Sequence, residues 1–299
     1  MSKLYGALIV LSLIWGTSFL FMKILLDTLD PAVIVFGRCF FGFLILGIIY
    51  LIVKRGQRNG KKLPWVKITF VALMNNVIPW LFICSSETKI SSSLASIINA
   101  TTPIWTLVIG FLIFSSPLRK NQWVGIIVGF IGIFILSEIK PGDFNAGHLS
   151  GVLLMSCATF CYGVGSHLSK KFLSDLSVLE TSFLTMAFSA AMSLVWVLIT
   201  GPGHLSELFD VSVILPFVGL GVLGSGIAYL LYYYLVQKGS PEFASLVTYL
   251  APVSAIFWGA LLLNEKIHAS MMIGLAVIFA GVYISSIKVK GKTGKKAAA

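Results

Sequence analysis

Charge is scarce in this chain, and negative charge scarcest: 11% of the 299 residues are charged, and 22 Lys and Arg stand against 11 Asp and Glu. No carboxylate falls in the middle of a long apolar run. Asp27, Asp30, Glu87, Glu138, Asp143, Asp175, Glu180, Glu207, Asp210, Glu242 and Glu265 all sit at run ends or in connections, which disfavours a proton relay built on a membrane-buried carboxylate. Cysteine is also scarce. Cys39, Cys84, Cys157 and Cys161 lie inside apolar runs with no disulfide pattern. Cys157 and Cys161 share a helix face, yet no His or carboxylate completes a metal set, so no metal and no cofactor are expected. No run carries a nucleophile with a base, which weakens the reading as a membrane-embedded enzyme. Neither a soluble domain nor a long loop is available to carry a signal, which weakens a scaffold.

What is abundant is apolar length. With 57% hydrophobic residues and a mean hydropathy of +0.95, the chain carries more apolar surface than a soluble core of its size can hide, so the lipid bilayer is its expected partner. Runs long enough to cross about 30 Å of hydrocarbon occur at Leu4–Leu25, Pro31–Val53, Trp65–Ser85, Ser91–Phe114, Asn121–Ser137, Leu149–Leu168, Val178–Ile199, Val211–Val236, Pro241–Leu263 and Ala269–Ile287. The first is long, lacks a small-x-small cleavage site and is followed by nine more, so it reads as a span and not a leader. The expected fold is an all-α membrane protein of ten transmembrane helices.

The cations are sorted by connection. Lys3, the Lys54–Lys62 group, Arg119 and Lys120, Lys170 and Lys171, Lys238 and the Lys288–Lys296 group fall on one side, sixteen in all; Lys89, Lys140 and Lys266 are the three on the other. The positive-inside rule then makes the protein multi-pass in the plasma (inner) membrane with both termini cytoplasmic, as an even number of crossings requires. Sorted in this way, the basic residues form no single face, so nucleic acid is not an expected partner.

The chain also repeats itself. Residues 91–132 align without a gap on 240–281 at an offset of 149, with Ser91/Ser240, Ala95/Ala244, Ser96/Ser245, Pro103/Pro252, Gly110/Gly259, Gly125/Gly274 and Gly132/Gly281 among the identical pairs. At the start of each half the offset is 147: Trp15/Tyr162, Gly16/Gly163, Lys23/Lys170. Five spans per half is an odd number, so the second copy must enter from the opposite side. Residues 1–140 are read as the first five-helix repeat, 141–290 as the second, inverted one, and 291–299 as a basic flexible tail, with a turn near Glu138–His148. Related halves that rock around a site at their interface are the sequence mark of a transporter.

Proline inside a helix leaves the carbonyl four residues earlier without its donor, and in lipid that acceptor needs another partner. Pro103 frees Asn99 and Pro252 frees Thr248; with Ser96 and Ser245 on the same faces, these pairs are expected to line a hydrated central cavity, the alternative being a packing kink. Pro79 frees Asn75, and the adjacent amides Asn75 and Asn76 should send at least one side chain inward. In the eighth span Gly219, Gly221, Gly224, Ser225 and Gly226 leave the backbone accessible, and Trp80 and Tyr229 align at offset 149 as aromatics with polar tips for the cavity or an interfacial belt. Tyr232–Tyr234 read as a belt. Trp15, with Ser12 and Phe19 on its face, and Tyr162, with Ser166 nearby, face the cavity or the core. Arg38 is a cavity cation able to hold a substrate carboxylate or a snorkelling residue; Lys23 and His167 read as interfacial. Gly125, Gly129 and Gly132 with Gly274 and Gly281 smooth the fifth and tenth helices for packing on each other, with a weak homodimer as the alternative.

Trp15-Gly16 with Lys23, the Ala-Ser-x-x-x-x-x-x-Pro runs Ala95–Pro103 and Ala244–Pro252, Leu263-Asn264-Glu265 and the Gly-containing fifth and tenth helices together resemble the EamA-like family of the drug/metabolite transporter superfamily. The resemblance covers essentially the whole chain. It implies ten helices in two inverted halves and export of a small-molecule substrate, often an amino acid, from the cytoplasm. The small multidrug pumps, which use a membrane Glu of the first helix to hold cations, fit less well. The first half departs from the family pattern in carrying Ser116 where the second has Glu265. The leading expectation is a secondary exporter of an amino acid or related metabolite working by alternating access. A proton-coupled multidrug or other metabolite exporter is the alternative.

Overall fold

The computed structural model describes residues 2–53, 63–115, 119–136, 146–201 and 205–286. Among these the regular structure is helical throughout. The helices form runs that we number α1 (Ser2–Leu25), α2 (Pro31–Val53), α3 (Trp65–Glu87), α4 (Ser92–Phe114), α5 (Lys120–Leu136), α6 (Ala146–Phe172), α7 (Val178–Thr200), α8 (Val211–Lys238), α9 (241–262) and α10 (Ala269–Ser286), with a 3-10 turn at Leu205–Phe209 before α8. Seven of them, α1 to α4 and α6 to α8, are long and apolar enough to cross a bilayer. α5 has 17 residues, and the apolar stretches of α9 and α10, Ala251–Leu262 and Ala269–Gly281, are shorter still. The expected turn near Glu138–His148 lies largely outside the described residues, as does the 291–299 tail.

The distribution of side chains is that of a bundle in lipid. Leu51, Ile52, Leu112, Ile113, Leu198, Ile199 and Leu215 are exposed, whereas Asn75, Asn76, Thr181, Thr185, Ser189 and Ser193 are buried. Backbone groups have no water to turn to in hydrocarbon, so the helices keep their own bonds and the buried hydroxyls return theirs to the preceding turn. Thr185, Ser189 and Ser193 each donate to the carbonyl four residues back.

The repeat is visible in the helix starts and interruptions. Ser91 and Ser240, an identical pair, cap α4 and α9 by accepting from the amides of Leu94 and Phe243 at 3.2 and 3.1 Å. α3 widens into a π segment at Leu73–Val77, and α8 does so at Val218–Ile227, which contains the matching positions. The breaks near Pro103 and Pro252 are less alike than expected. α4 is interrupted at Ala100–Thr101 and Pro103 enters the first turn of a new segment. α9 is interrupted earlier, at Leu246, and Pro252 sits inside a continuous helix. A proline in a first turn has no amide bond to forfeit, so the same residue marks a break in one copy and is carried in the other.

The two halves interleave: α1 packs on α9, α2 on α7 and α8, and α6 on α3 and α4, while α5 and α10 pack against each other. The last contact depends on glycine. A Cβ on Gly281 would stand 2.7 Å from the carbonyl oxygen of Gly125 and the amide of Gly129, so the helices meet backbone to backbone as the small-residue faces suggested.

One end of the bundle gathers the last turns of α1 and α3 with the first turns of α2 and α4, and we call it the Lys23 end. The other gathers the last turns of α6 and α8 with the first turns of α7 and α9, and we call it the Lys170 end. Tyr5, near the start of α1, touches Phe243 at the start of α9, with ring centroids 5.5 Å apart. α1 therefore begins at the Lys170 end and α6 runs the other way.

Candidate substrate cavity and its two ends

Where the interleaved halves meet, a cavity of about 640 Å³ opens, counted as all space free of protein atoms including its mouth. α1 turns Trp15, Ser18, Phe19 and Met22 toward it, the i, i+3, i+4, i+7 stripe of one helix face. Arg38 of α2 and Trp80 and Ile83 of α3 form the wall toward the Lys23 end. Asn99, Thr102 and Thr106 come from α4, Tyr162 and Ser166 from α6, Tyr229 and Tyr232 from α8, and Ala244, Ser245, Val247 and Thr248 from α9. The lining suits a small amphipathic molecule: an aromatic side, a hydroxyl-rich side and one cation.

The aromatic side is a connected set. Trp15 lies 6.0 Å from Tyr229 and 5.5 Å from Tyr232, and Trp80 meets Tyr229 edge-on at 5.6 Å. The guanidinium of Arg38 sits 3.5 Å above the Trp80 ring centre. Arg38 is 3% exposed, which decides between its two readings: it is a buried cavity cation and does not snorkel.

Trp15, Arg38, Trp80, Asn99, Tyr162, Tyr229, Ser245 and Thr248 are thus brought together on the wall. Asn75, Asn76, Ser96, Pro103, Ser225 and Pro252 are not on it, and their bonds show why. The Asn75 carbonyl freed by Pro79 accepts from the Tyr229 hydroxyl at 2.9 Å, and its side-chain oxygen from Tyr232 at 3.4 Å. Asn76 donates to Ser189 at 2.7 Å, and Ser96 to the Ser93 carbonyl. The Asn99 carbonyl, left free where α4 is interrupted, accepts from the Thr102 hydroxyl at 2.7 Å. Protein hydroxyls supply the donor at these two breaks. Ser225 reaches the wall indirectly, through Arg38. The belt reading of Tyr232 and Tyr233 is corrected: both are buried, and Tyr232 lines the cavity.

The ends hold the groups that the sequence reading had placed at interfaces. Lys23, half-buried at the end of α1, has partners there: its ammonium donates to the carbonyls of Glu87 at 2.5 Å and Ile90 at 3.5 Å, capping the last turn of α3. Lys170 repeats this on α8, donating to Gln237 at 2.7 Å and Gly239 at 3.4 Å. Glu87 does end its helix, but it is fully buried, and its carboxylate oxygens accept no hydrogen bond among the described residues.

Glu265, beyond the end of α9, crosses to the N-terminus of α4. One oxygen accepts from the amide and hydroxyl of Ser92 at 2.9 and 2.7 Å; the other accepts from the amide of Ser93 at 3.0 Å and from its hydroxyl. The carboxylate supplies acceptors for the orphan amides of a helix start and meets the positive end of its dipole. His167, expected to be solvated, is buried, stacks on Phe114, bonds the Thr106 carbonyl at 2.9 Å and lies 3.9 Å from Glu242.

The sequence reading missed Met22, Thr102 and Thr106 on the wall. The signal was present for Met22, which continues the Trp15–Phe19 face by one turn, and for Thr106, one turn from Thr102. It missed the lysine caps although the Lys23/Lys170 pairing was legible.

An apolar helical bundle with a polar and aromatic space at its centre, closed by charged caps at its ends, is a multi-pass membrane transporter in build. The comparisons with known proteins agree: the model of the EamA-like transporter family matches twice, over residues 3–138 and 149–287, and the chain belongs to that family. It is 26% identical over 287 residues to the "Uncharacterized inner membrane transporter YedA" of Escherichia coli (strain K12), covering 95% of this chain and 90% of that one. It is 23% identical over 277 residues to "Protein PecM" of Dickeya dadantii, covering 91% and 88%. A "Probable amino-acid metabolite efflux pump" of Salmonella typhimurium is 24% identical over 301 residues, with 95% of each chain covered. A solved structure described as "Crystal structure of protein" superposes with a TM-score of 0.70 at 19% identity, covering 96% of this chain and 97% of that chain, and shows a shared fold. The protein is a transporter and not an enzyme.

Proposed function

We propose that the protein is a secondary transporter that exports a small metabolite, an amino acid or related compound, by alternating access in a ten-helix inverted repeat. The observation that carries this reading is the cavity itself: it lies between the two halves, draws its wall from both, and is bridged at the Lys23 end by Glu265 bonds that release toward that side would have to break. The opposite directions of α1 and α6 support the inversion. The sorting of cations by connection supports cytoplasmic termini, with the Lys23 end outside. The efflux-pump name of the Salmonella relative supports amino-acid export.

Reconstituted protein is expected to carry labelled amino acids in counterflow, and Asn99→Cys and Thr248→Cys in a background lacking Cys39, Cys84, Cys157 and Cys161 are expected to react with water-soluble thiol reagents. No movement of any amino acid, with both cysteines inert in every condition, would overturn the reading. Buried Glu87 favours a second reading of the energetics, proton-coupled export, because the case against it rested on the absence of a buried carboxylate. Net substrate movement that is indifferent to a pH gradient would exclude that variant.

A further inference from the structure

Arg38 is buried, yet its donors are only partly used. Nε donates to the Ser225 hydroxyl at 3.1 Å, and Nη1 points at the thioether sulfur of Met22 at 3.5 Å, a weak acceptor. Nη2 donates to no acceptor among the described residues. No carboxylate lies within ion-pair distance of the guanidinium among them either. No carboxylate lines the cavity. Glu87, buried outside the cavity wall, is close enough for its charge to feel that of Arg38, but no direct ion pair joins them among the described residues.

A guanidinium cannot shed its charge, and a buried charge without a counter-ion is costly, so the protein must hold it there for a reason. It does hold it. Gly42 of α2 lets α8 come so close that a Cβ there would lie 3.0 Å from the Ser225 Cβ. Ser225 sits in the π segment of α8, and its hydroxyl donates to the Leu220 carbonyl at 3.0 Å, leaving a lone pair for Arg38. Trp80 supports one face of the fork at 3.5 Å. One half supplies the cation and the other its positioning hydroxyl.

We infer that the Arg38 fork, held by Ser225 and backed by Trp80, is a carboxylate subsite, and that the transported class is an organic monocarboxylate with an apolar or aromatic body. This rests on the reading of the cavity as the substrate path. An α-amino group is dispensable, because the wall has no carboxylate to pair with an ammonium. Its hydroxyls Thr102, Thr106, Ser245 and Thr248 already donate to their own helices, which leaves the Arg38 fork as the donor for a carboxylate.

The test uses the full chain, in detergent and in proteoliposomes, with matched probes: L-leucine, 4-methylpentanoate and 3-methylbutylamine, and L-phenylalanine, 3-phenylpropanoate and 2-phenylethylamine. The carboxylate-bearing members are expected to raise the unfolding temperature and to exchange in counterflow, and the amines to do neither. Arg38→Gln is expected to weaken carboxylate binding about 30-fold or more, with Arg38→Lys retaining part of it. Ser225→Ala is expected to raise KM several-fold with little change in kcat. It serves as the second variant should Arg38→Gln not fold.

Amines that bind as well as the acids, or Arg38→Gln and Ser225→Ala proteins that bind acids unchanged, would overturn the subsite while leaving transport intact. Acids that bind through Arg38 yet are not carried would overturn the transported class and the reading of the cavity as the substrate path, and leave the subsite standing. Binding of no probe to folded wild-type protein would overturn the subsite.

Discussion

The two ends of the bundle are built on one device and finished differently. At each, a lysine from the first helix of a half caps the last carbonyls of the third: Lys23 on α3 and Lys170 on α8. At the Lys23 end a carboxylate from the other half, Glu265, then bonds the exposed amides of α4, and a second carboxylate, Glu87, is buried beside the capping lysine. At the Lys170 end the acid is Glu242, in the first turn of α9, near His167 at 3.9 Å. The repeat therefore preserves the cap inside each half, whereas the acid at the Lys23 end joins one half to the other and the acid at the Lys170 end contacts a residue of its own half. Opening the Lys23 end means breaking charge-assisted bonds between halves. The described contacts at the Lys170 end present a weaker charged contact.

The largest expected effect follows from removing that tie. Glu265→Ala deletes a cap worth about 2–4 kcal/mol. It should raise labelling of a Met22→Cys reporter from the Lys23 side about tenfold or more. An unchanged labelling rate would make the two ends equivalent. Next come the lysines. Lys23→Met should cost about 2–4 kcal/mol of stability and Lys170→Met about 1–2, because only the first leaves a buried carboxylate beside an uncapped helix end. Thermal unfolding of the pair, with Lys23→Met/Glu87→Gln as the rescue, sharpens the point: no recovery in the double variant would mean that Glu87 is not what separates the ends.

Smaller is Tyr229→Phe, which strips the donor from the Asn75 carbonyl and should cost about 1–2 kcal/mol. Tyr233→Phe removes a hydroxyl with no partner among the described residues and should be near neutral in the same unfolding measurement. Smallest is Glu242→Gln, which removes only the partly exposed partner of His167 and is expected to change stability by about 1 kcal/mol or less. A loss as large as that of Glu265→Ala would reverse the ranking of the two ends.

Much of this was legible beforehand. Helix spans come from apolar length, and the ten sequence spans meet the described helices to within a few residues, apart from the extension of α6 to Phe172 at the Lys170 end. Trp15, Trp80, Tyr162 and Tyr229 were legible as wall residues because a polar-tipped aromatic repeated at one level in both copies is rare. Asn75 and Pro252 misled. A freed carbonyl announces that something must satisfy it, without saying whether a tyrosine from another helix or a ligand does so. Lys23, His167 and Glu87 misled for a related reason. A charge at a helix end looks the same in sequence whether it meets water or a neighbour's last turn.

The sequence by itself determined the membrane, the helices and the duplication, since each depends on local composition, apolar length or self-similarity. The tertiary structure decided which polar groups face the cavity, which hydroxyl fills which break, and that Arg38 stands buried between Ser225 and Trp80 with no directly paired carboxylate among the described residues. Those outcomes depend on the distance between atoms far apart along the chain, as between Arg38 and Ser225 or between Ser92 and Glu265, and no run of neighbouring residues encodes that distance.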